Sequence, residues 1–205
     1  MRILAIETAT AACSVALLED DRVVADIHEV VGRGHAERLV PMIAELPDGG
    51  RADRILVDCG PGSFTGIRVG LAAARALGLA WRVPVHGYSS LALLAATALQ
   101  EAGAPDRVAS ALTGGHGELF VQSFVVAPFR EASVLASLTP GAAAAAIAET
   151  LVIGSGAASL VEARATGSAR DPLPHARDIR HLPPGFTMRA ATPIYGRAPD
   201  ARPSA

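Results

Sequence analysis

The sequence predicts an α/β protein of two lobes, with a mixed five-stranded sheet in the first lobe and a reduced second lobe. Two observations carry this prediction. Three strand-like segments joined by short turns open the chain, as in an antiparallel meander. Helix-like and strand-like segments then alternate, which is typical of a sheet covered by helices. The chain has 205 residues, of which 50% are hydrophobic, and this is enough apolar material for two small lobes.

The three opening strands follow from the spacing of apolar residues. Residues 3–6 form a continuous apolar run, which suits a strand covered on both faces. Residues 13–18 form the second strand, and the polar residues 19–22 turn the chain. Residues 23–30 alternate, with Asp26 and His28 on one face and apolar side chains on the other, which predicts the third strand.

Helical spacing begins after the glycines at positions 32 and 34. Apolar residues then recur with the period of a helix, at Leu39, Met42, Ile43 and Leu46. Further along, Ser89 or Ser90 is placed to cap another helix. The predicted elements are a helix over residues 35–46, a strand over 54–59, a long helix over 65–81, a strand over 83–86 and a helix over about 90–102.

The second lobe is predicted to begin after residue 104, where glycine and proline interrupt the pattern. Its predicted strands cover residues 108–112 and 119–126, a short stretch near Val134, and residues 151–153. Thr139 and Pro140 begin a helix that extends to Thr150. Proline is frequent from about residue 171, so an irregular end is expected. The predicted units are residues 1–104, residues 105–197 and a disordered tail over residues 198–205.

Charge and composition exclude several classes of function. The formal net charge is −2 and the isoelectric point about 6.3, so the chain has no overall positive field for nucleic acid. Cys13 and Cys59 lie far apart and give no metal or redox spacing. No basic leader with a cleavage site opens the chain, and the apolar stretch 66–83 carries three arginines that a membrane span tolerates poorly. We therefore expect a soluble, cytoplasmic protein without membrane contact.

Residues 60–66 form a glycine-rich loop between a predicted strand and a predicted helix, where backbone N–H groups can bind an anion. The loop lacks the lysine of a P-loop, and Gly66 falls one residue late for a dinucleotide fingerprint. Two interpretations stay open. The pattern favours a turn that Ser63 or Thr65 caps, and the other interpretation is a phosphate site.

The long helix carries a ridge of small residues at every fourth position, namely Gly66, Gly70, Ala74 and Gly78. Each glycine costs roughly 1 kcal/mol relative to alanine in a helix, so close approach of another backbone has to offset it. That backbone belongs either to the protein's own sheet or to a helix of another chain. Three arginines lie on a different face at intervals of seven, as on a solvated surface: Arg68, Arg75 and Arg82.

The sequence offers no catalytic or metal-binding motif. Its six histidines include no pair four residues apart, so no helical two-histidine metal site is expected. Residues 87–90 match only part of a nucleophile elbow, because Leu91 stands where the second glycine is needed. His35, at the start of a predicted helix, has the position of a cap or surface residue more than that of a ligand.

Three stretches carry a family resemblance. They are ILAIETAT with CSVAL (residues 3–10 and 13–17), GHAERLVPMI (34–43) and GPGSFTGIRVGL (60–71). Together they resemble the TsaB (YeaZ) family, a subunit of the bacterial machinery that makes N6-threonylcarbamoyladenosine (t6A) in tRNA. The resemblance is dense over residues 1–100 and thin afterwards. It implies the two-lobed fold of the actin-like ATPase, sugar kinase and Hsp70 class.

The resemblance also implies a function. Family members act as a non-catalytic scaffold that binds the catalytic protein TsaD, and the protein TsaE joins the pair. A homodimer through the same surface is expected when TsaD is absent. ATP and metal are expected on the partner subunits, tRNA is contacted only indirectly, and this chain needs no cofactor and is no enzyme by itself. The alternative is a metallopeptidase-like or nucleotide-dependent enzyme of the same fold.

The resemblance assigns residues to these roles. The family pairs through the helices that follow the second and third stretches, which favours an interchain contact for the glycine ridge. The first loop is bulkier than the Asp-Gly start that is usual in the actin-like class, so ATP binding to this chain is not expected. The predicted partner interface comprises Arg33, His35, Glu37, Arg38, Thr65, Gly66, Arg68, Gly70, Ala74 and Gly78. The residues predicted to lie nearest a nucleotide are Glu7, Thr8, Thr10 and Ser63.

Overall fold

The computed structural model describes residues 1–126 and 128–196, and the predicted tail over residues 198–205 lies outside the described residues. The strands of the first sheet are β1 (Arg2–Glu7), β2 (Ala12–Glu19), β3 (Arg22–Val30), β4 (Arg54–Asp58) and β5 (Val85–Tyr88). Its helices are α1 (His35–Glu45), α2 (Phe64–Trp81) and α3 (Ser90–Ala98). In the second lobe the strands are β6 (Arg107–Thr113), β7 (Leu119–Val125), β8 (Arg130–Glu131), β9 (Ala136–Leu138), β10 (Leu151–Ile153) and β11 (Ser168–Arg170), with helices α4 (Pro140–Ala146) and α5 (Ala157–Arg164).

The first sheet is mixed, as predicted. Strands β1, β2 and β3 form an antiparallel meander, and β4 and β5 extend the sheet from β1 in parallel. A sixth strand, β12 (Arg189–Ala190), pairs antiparallel with β5 and completes the order β12-β5-β4-β1-β2-β3. The sequence gives no signal for this strand because it has only two residues in a proline-rich segment. The prediction of five strands was one strand short.

The second sheet is also mixed, in the order β11-β10-β6-β7-β8, with β9 beside β7. Strand β6 is antiparallel to β7 and parallel to β10. The short strand predicted near Val134 corresponds to two short strands, β8 and β9, which lie on either side of that residue. The predicted helix over residues 140–150 ends at Ala146. Helix α5 was missed, since its eight residues carry no side-chain cap and only two of them are buried.

Helix α3 joins the two lobes into one core. Eight of its nine residues are buried, and they are apolar on every side of the helix, as expected for a helix enclosed by protein. Its leucines and alanines pack with Leu56 of the first sheet and with Val108 and Phe124 of the second. The predicted boundary between the lobes, after residue 104, stays a prediction. The core around α3 contains residues from both sides of that boundary.

The segment that follows β11 returns to the first lobe. Its 3-10 helix Ala176–His181 contacts β1, β2 and β3. The backbone N–H of Ala176 donates to Ser14 Oγ at 3.0 Å, and the ring of His175 stacks on that of His28 at 4.3 Å between centroids. The proline-rich end that the sequence predicts to be irregular is thus fixed to the first sheet. None of the helices in the described ranges combines the length and apolar character needed to cross a bilayer.

Candidate functional site

A cleft of about 780 Å³ lies between the lobes. Its walls come from the β1–β2 loop, the start of α2, the β6–β7 turn, the β10–α5 loop and residues 193–196. The side chains lining it are mostly apolar, and its charged or titratable members are Arg68, His116 and Tyr195. The cleft is therefore large enough and apolar enough to take a small ligand.

The glycine-rich loop before α2 is a capped turn. Ser63 Oγ accepts from the Gly66 N–H at 3.2 Å, and this confirms the predicted cap. The Ser63 N–H donates to the carbonyl of Ala9 at 2.7 Å, so this loop is hydrogen-bonded to the β1–β2 loop. A Cβ on Gly62 would lie 2.2 Å from the same carbonyl, which explains why glycine occupies that position.

The predicted nucleotide residues separate into two groups. Glu7 and Thr8 are fully buried, and Thr8 Oγ1 donates to the carbonyl of Gly66 at 2.9 Å. Neither side chain faces the cleft, so the structure gives no support to a nucleotide role for these two residues. Thr10 and Ser63 do line the cleft, and for them the role stays a prediction.

The glycine ridge packs on the protein's own first lobe. All four of its residues are buried. A Cβ on Gly66 would lie 2.0 Å from the Thr8 carbonyl oxygen, one on Gly70 2.4 Å from Thr8 Oγ1, and one on Gly78 2.3 Å from Val85 Cγ2. The close contact that offsets the helix-propensity cost of these glycines is therefore made within this chain. The interface prediction was wrong for the ridge, Gly66, Gly70, Ala74 and Gly78.

The other predicted interface residues lie in different environments. His35 is buried and its Nε2 lies 3.2 Å from the carbonyl of Ala12, so the structure assigns it to the core instead of to a partner surface. Arg38 is half-buried and pairs with Glu29 at 2.6 Å and with Glu45 at 2.7 Å. Both carboxylates raise the pKa of the Arg38 guanidinium. The remaining members are exposed, namely Arg33, Glu37, Thr65 and Arg68.

The sequence analysis missed the outer face of α2. This face presents exposed small and apolar residues at helical spacing, Ala72, Ala76 and Leu79, and we call it the outer stripe. Leu79 is 83% exposed. Helix α1, which contacts α2, adds Val40 at 58% exposure. The signal was present in the sequence, since Ala72, Ala76 and Leu79 follow one another at intervals of four and three residues.

Two of the three arginines on α2 hold the C-terminal segment. The Arg68 guanidinium lies 3.5 Å above the ring of Phe64 and donates to the Tyr195 hydroxyl at 3.3 Å. Arg75 Nη2 donates to the carbonyl of Ala191 at 2.6 Å. As expected, all three arginines are exposed to solvent. Arg68 and Arg75 in addition connect α2 to the segment near the end of the described chain.

A buried pair of carboxyl groups lies beneath the cleft. Glu7 ends β1 and Asp58 ends β4, and both are fully buried. Burial and the neighbouring Asp58 raise the pKa of Glu7 well above its usual value. Burial raises the pKa of Asp58 to about 7. Ser90, which the partial nucleophile elbow includes, is itself buried and donates to Asp58 Oδ1 at 2.6 Å.

Ser14, His175 and Asp26 superficially resemble a hydrolytic triad. His175 Nδ1 lies 3.4 Å from Ser14 Oγ, and its Nε2 lies 3.4 Å from Asp26 Oδ2. Ser14 is fully buried and already accepts the Ala176 N–H, so its oxygen is closed to a substrate. The group fixes the C-terminal segment. Within residues 1–126 and 128–196 no three His, Cys, Asp or Glu side chains are arranged to hold a metal ion.

Comparison with known proteins identifies the family. The model of TsaD, tRNA N6-adenosine threonylcarbamoyltransferase, matches residues 27–132. The tRNA threonylcarbamoyladenosine biosynthesis protein TsaB of Escherichia coli (strain K12) is 41% identical over 125 residues, which cover 58% of this chain and 53% of that protein. The chain thus matches about half the length of this curated relative.

Solved structures match over almost the whole chain. YeaZ from Pseudomonas aeruginosa is 33% identical with a TM-score of 0.79, covering 95% of this chain and 100% of that one. A second structure, a Pseudomonas aeruginosa protein with similarity to peptidase YEAZ, is 32% identical with a TM-score of 0.81, covering 96% and 99%. The predicted fold, the actin-like ATPase and sugar kinase type, is confirmed. The chain belongs to the TsaB (YeaZ) family, whose curated members are named for tRNA threonylcarbamoyladenosine biosynthesis, and to the wider family that the TsaD model describes.

Proposed function

We propose that this chain is a non-catalytic scaffold subunit that supports t6A modification of tRNA by binding the catalytic protein TsaD in the cytoplasm. Family membership indicates a role in t6A biosynthesis. The exposed apolar face formed by α1 and α2 is the observation that supports a docking role. ATP and metal belong to the partner subunits in this proposal, TsaE joins the pair, and tRNA is contacted only indirectly.

The outer stripe has the properties of a helix-docking surface. Ala72 and Ala76 leave the backbone of α2 accessible, so a second helix can approach it closely. Leu79 and Val40 add large side chains that are more than half exposed and gain free energy when they are removed from water. Exposed charges flank them at Glu37 and Arg68, as at the rim of an interface.

TsaD is the occupant that the comparisons favour. The TsaD model matches residues 27–132 of this chain, a range that contains α1, α2 and α3. The two proteins therefore share these helices, and related surfaces can pair about a pseudo-twofold axis. By the same reasoning a second copy of this chain would occupy the surface when TsaD is absent.

Leu79→Glu tests the proposal. It places a charge on the largest apolar side chain of the outer stripe while leaving the buried side of α2 unchanged, so we expect TsaD binding to weaken at least about 100-fold. Val134→Glu is the matched control, because Val134 is also 83% exposed but lies in the second lobe. Binding to purified TsaD is measured by calorimetry, folding by circular dichroism, and t6A formation in a reconstituted reaction.

The outcomes separate the candidate functions. If folded Leu79→Glu binds TsaD as tightly as the Val134→Glu control does, the assignment of the surface is wrong. The alternative, a metallopeptidase-like or nucleotide-dependent enzyme, stays a prediction. Stoichiometric metal in the isolated chain, or turnover of ATP by it, would support that alternative.

A further inference from the structure

Glu7 and Asp58 lie side by side because their strands are parallel. In the register of β1 and β4, Ile6 pairs with Val57, so the next residue of each strand ends at the same edge of the sheet. Both side chains are fully buried, and the register places them next to each other at that edge. Two ionised carboxylates in this position would each lose their hydration and would also repel one another.

The hydrogen bonds around the pair leave one oxygen of each group without a donor. Glu7 Oε1 accepts from the Ala9 N–H at 3.0 Å. Asp58 Oδ1 accepts from the Gly60 N–H at 2.9 Å and from the Ser90 hydroxyl at 2.6 Å. The other oxygens, Glu7 Oε2 and Asp58 Oδ2, are buried and have no partner. A single proton between these two oxygens would satisfy both of them.

The titratable groups that act on the pair from neighbouring elements are neutral at pH 7. They are Cys13 on β2, Cys59 after β4 and Tyr88 on β5. Burial raises the pKa of Cys13 to about 11 and that of Cys59 to about 12, and it raises the pKa of Tyr88 well above its usual value. The guanidinium of Arg75 on α2 acts on Cys59, and it is hydrogen-bonded to Ala191.

We infer that Glu7 and Asp58 share one proton, and that this proton fastens together the two loops that form the floor of the cleft. Glu7 holds the β1–β2 loop through the Ala9 N–H, and Asp58 holds the β4–α2 loop through the Gly60 N–H. The loops meet where the Ser63 N–H donates to the Ala9 carbonyl at 2.7 Å. Loss of the proton as the pH rises leaves two repelling carboxylates beneath that contact, so the cleft floor loosens.

The titration of the two carboxyl carbons by NMR tests the shared proton in the wild-type chain. We expect one proton for the pair at pH 6 and a joint titration near pH 7. Amide hydrogen exchange at Ser63, corrected for the intrinsic effect of pH, tests the loosening. Protection of the Ser63 N–H should fall about tenfold between pH 6 and pH 8.5.

Glu7→Gln removes the titratable carboxyl group and keeps the shape of the side chain. The amide donates permanently to Asp58, so the protection of Ser63 should change less than about twofold over the same pH range. Asp58→Asn serves as the second variant, since its amide oxygen still accepts from Gly60 and Ser90. Glu101→Gln is the control, because Glu101 is exposed and pairs with Arg170 far from the cleft floor. Two ionised carboxylates at pH 6, or the same pH dependence in wild type and Glu7→Gln, would overturn the inference.

Discussion

Gly66→Ala is the substitution that most directly tests the internal packing of α2. In an isolated helix this change would be stabilising, because alanine has the higher helix propensity by roughly 1 kcal/mol. In this protein the added Cβ would lie 2.0 Å from the Thr8 carbonyl oxygen. Real Cβ contacts are essentially never shorter than 3.0 Å, so α2 and the β1–β2 loop have to separate by about 1 Å.

The expected cost follows from what that separation disturbs. Overpacking against a backbone atom costs about 1–3 kcal/mol, since a carbonyl cannot move aside as a flexible side chain can. The buried hydrogen bond from Thr8 Oγ1 to the Gly66 carbonyl, 2.9 Å long, is strained as well, at about 1 kcal/mol. After the gain in helix propensity, we expect the free energy of unfolding to fall by about 1–3 kcal/mol.

Urea denaturation followed by circular dichroism measures this change. Gly141→Ala in α4 is the control, because a Cβ there meets no atom within 4 Å. That variant should be more stable than wild type by about 1 kcal/mol, as helix propensity alone predicts. If Gly66→Ala is stabilised to the same extent as Gly141→Ala, the close contact between α2 and the β1–β2 loop does not exist.

Two further predictions concern buried polar groups. Tyr88→Phe removes the hydroxyl that donates to the Ile6 carbonyl at 2.8 Å, so the free energy of unfolding should fall by about 1–3 kcal/mol in urea denaturation; the exposed Tyr195→Phe should leave it unchanged. Burial and the adjacent His28 lower the pKa of His175 to about 4. The folded chain therefore binds fewer protons than the unfolded chain between pH 4 and pH 6.5. The stability that neutral His175 contributes is complete above pH 6.5 and is lost as the pH falls towards 4. Between pH 6.5 and pH 5 wild type should lose about 1–2 kcal/mol more than His175→Gln does. Equal losses in the two proteins would contradict the burial of a neutral imidazole.

The sequence was sufficient for the elements whose pattern is local. The continuous apolar run of β1 and the alternation in β3 mark these strands without any knowledge of their neighbours. The end of α3 was placed four residues too late, at 102 instead of Ala98, because a helix that is apolar all round shows no periodicity. Strand β12 forms by pairing with β5, which is distant in the sequence. A strand that depends on a distant partner leaves no local pattern of apolar residues in the sequence.

The candidate site depends more strongly on distant contacts. Glu7 and Asp58 are 51 positions apart, and only the parallel pairing of β1 with β4 brings them together. A usable signal did exist, since Glu7 follows directly after the predicted strand 3–6 and Asp58 lies next to the last residue of the predicted strand 54–59. Polar residues at the ends of parallel strands meet at one edge of a sheet. The burial of both groups, which decides their protonation, could not be predicted from that signal.

The two faces of α2 explain why the spacing of small residues led to an interface prediction on the buried side of this helix. At 100° per residue, Leu79 lies about 180° around the helix from Gly70. Small residues occur on both faces, because the inner face approaches the β1–β2 loop and the outer face is built mainly of alanine. Spacing alone cannot tell which of two small-residue faces is buried.

The burial of the glycine ridge affects how an interface on α2 can be tested. A bulky side chain at Gly70 meets Thr8 Oγ1 within 2.4 Å, so loss of TsaD binding in Gly70→Leu would report on the fold. Only the outer stripe, through Leu79→Glu, can report on the partner.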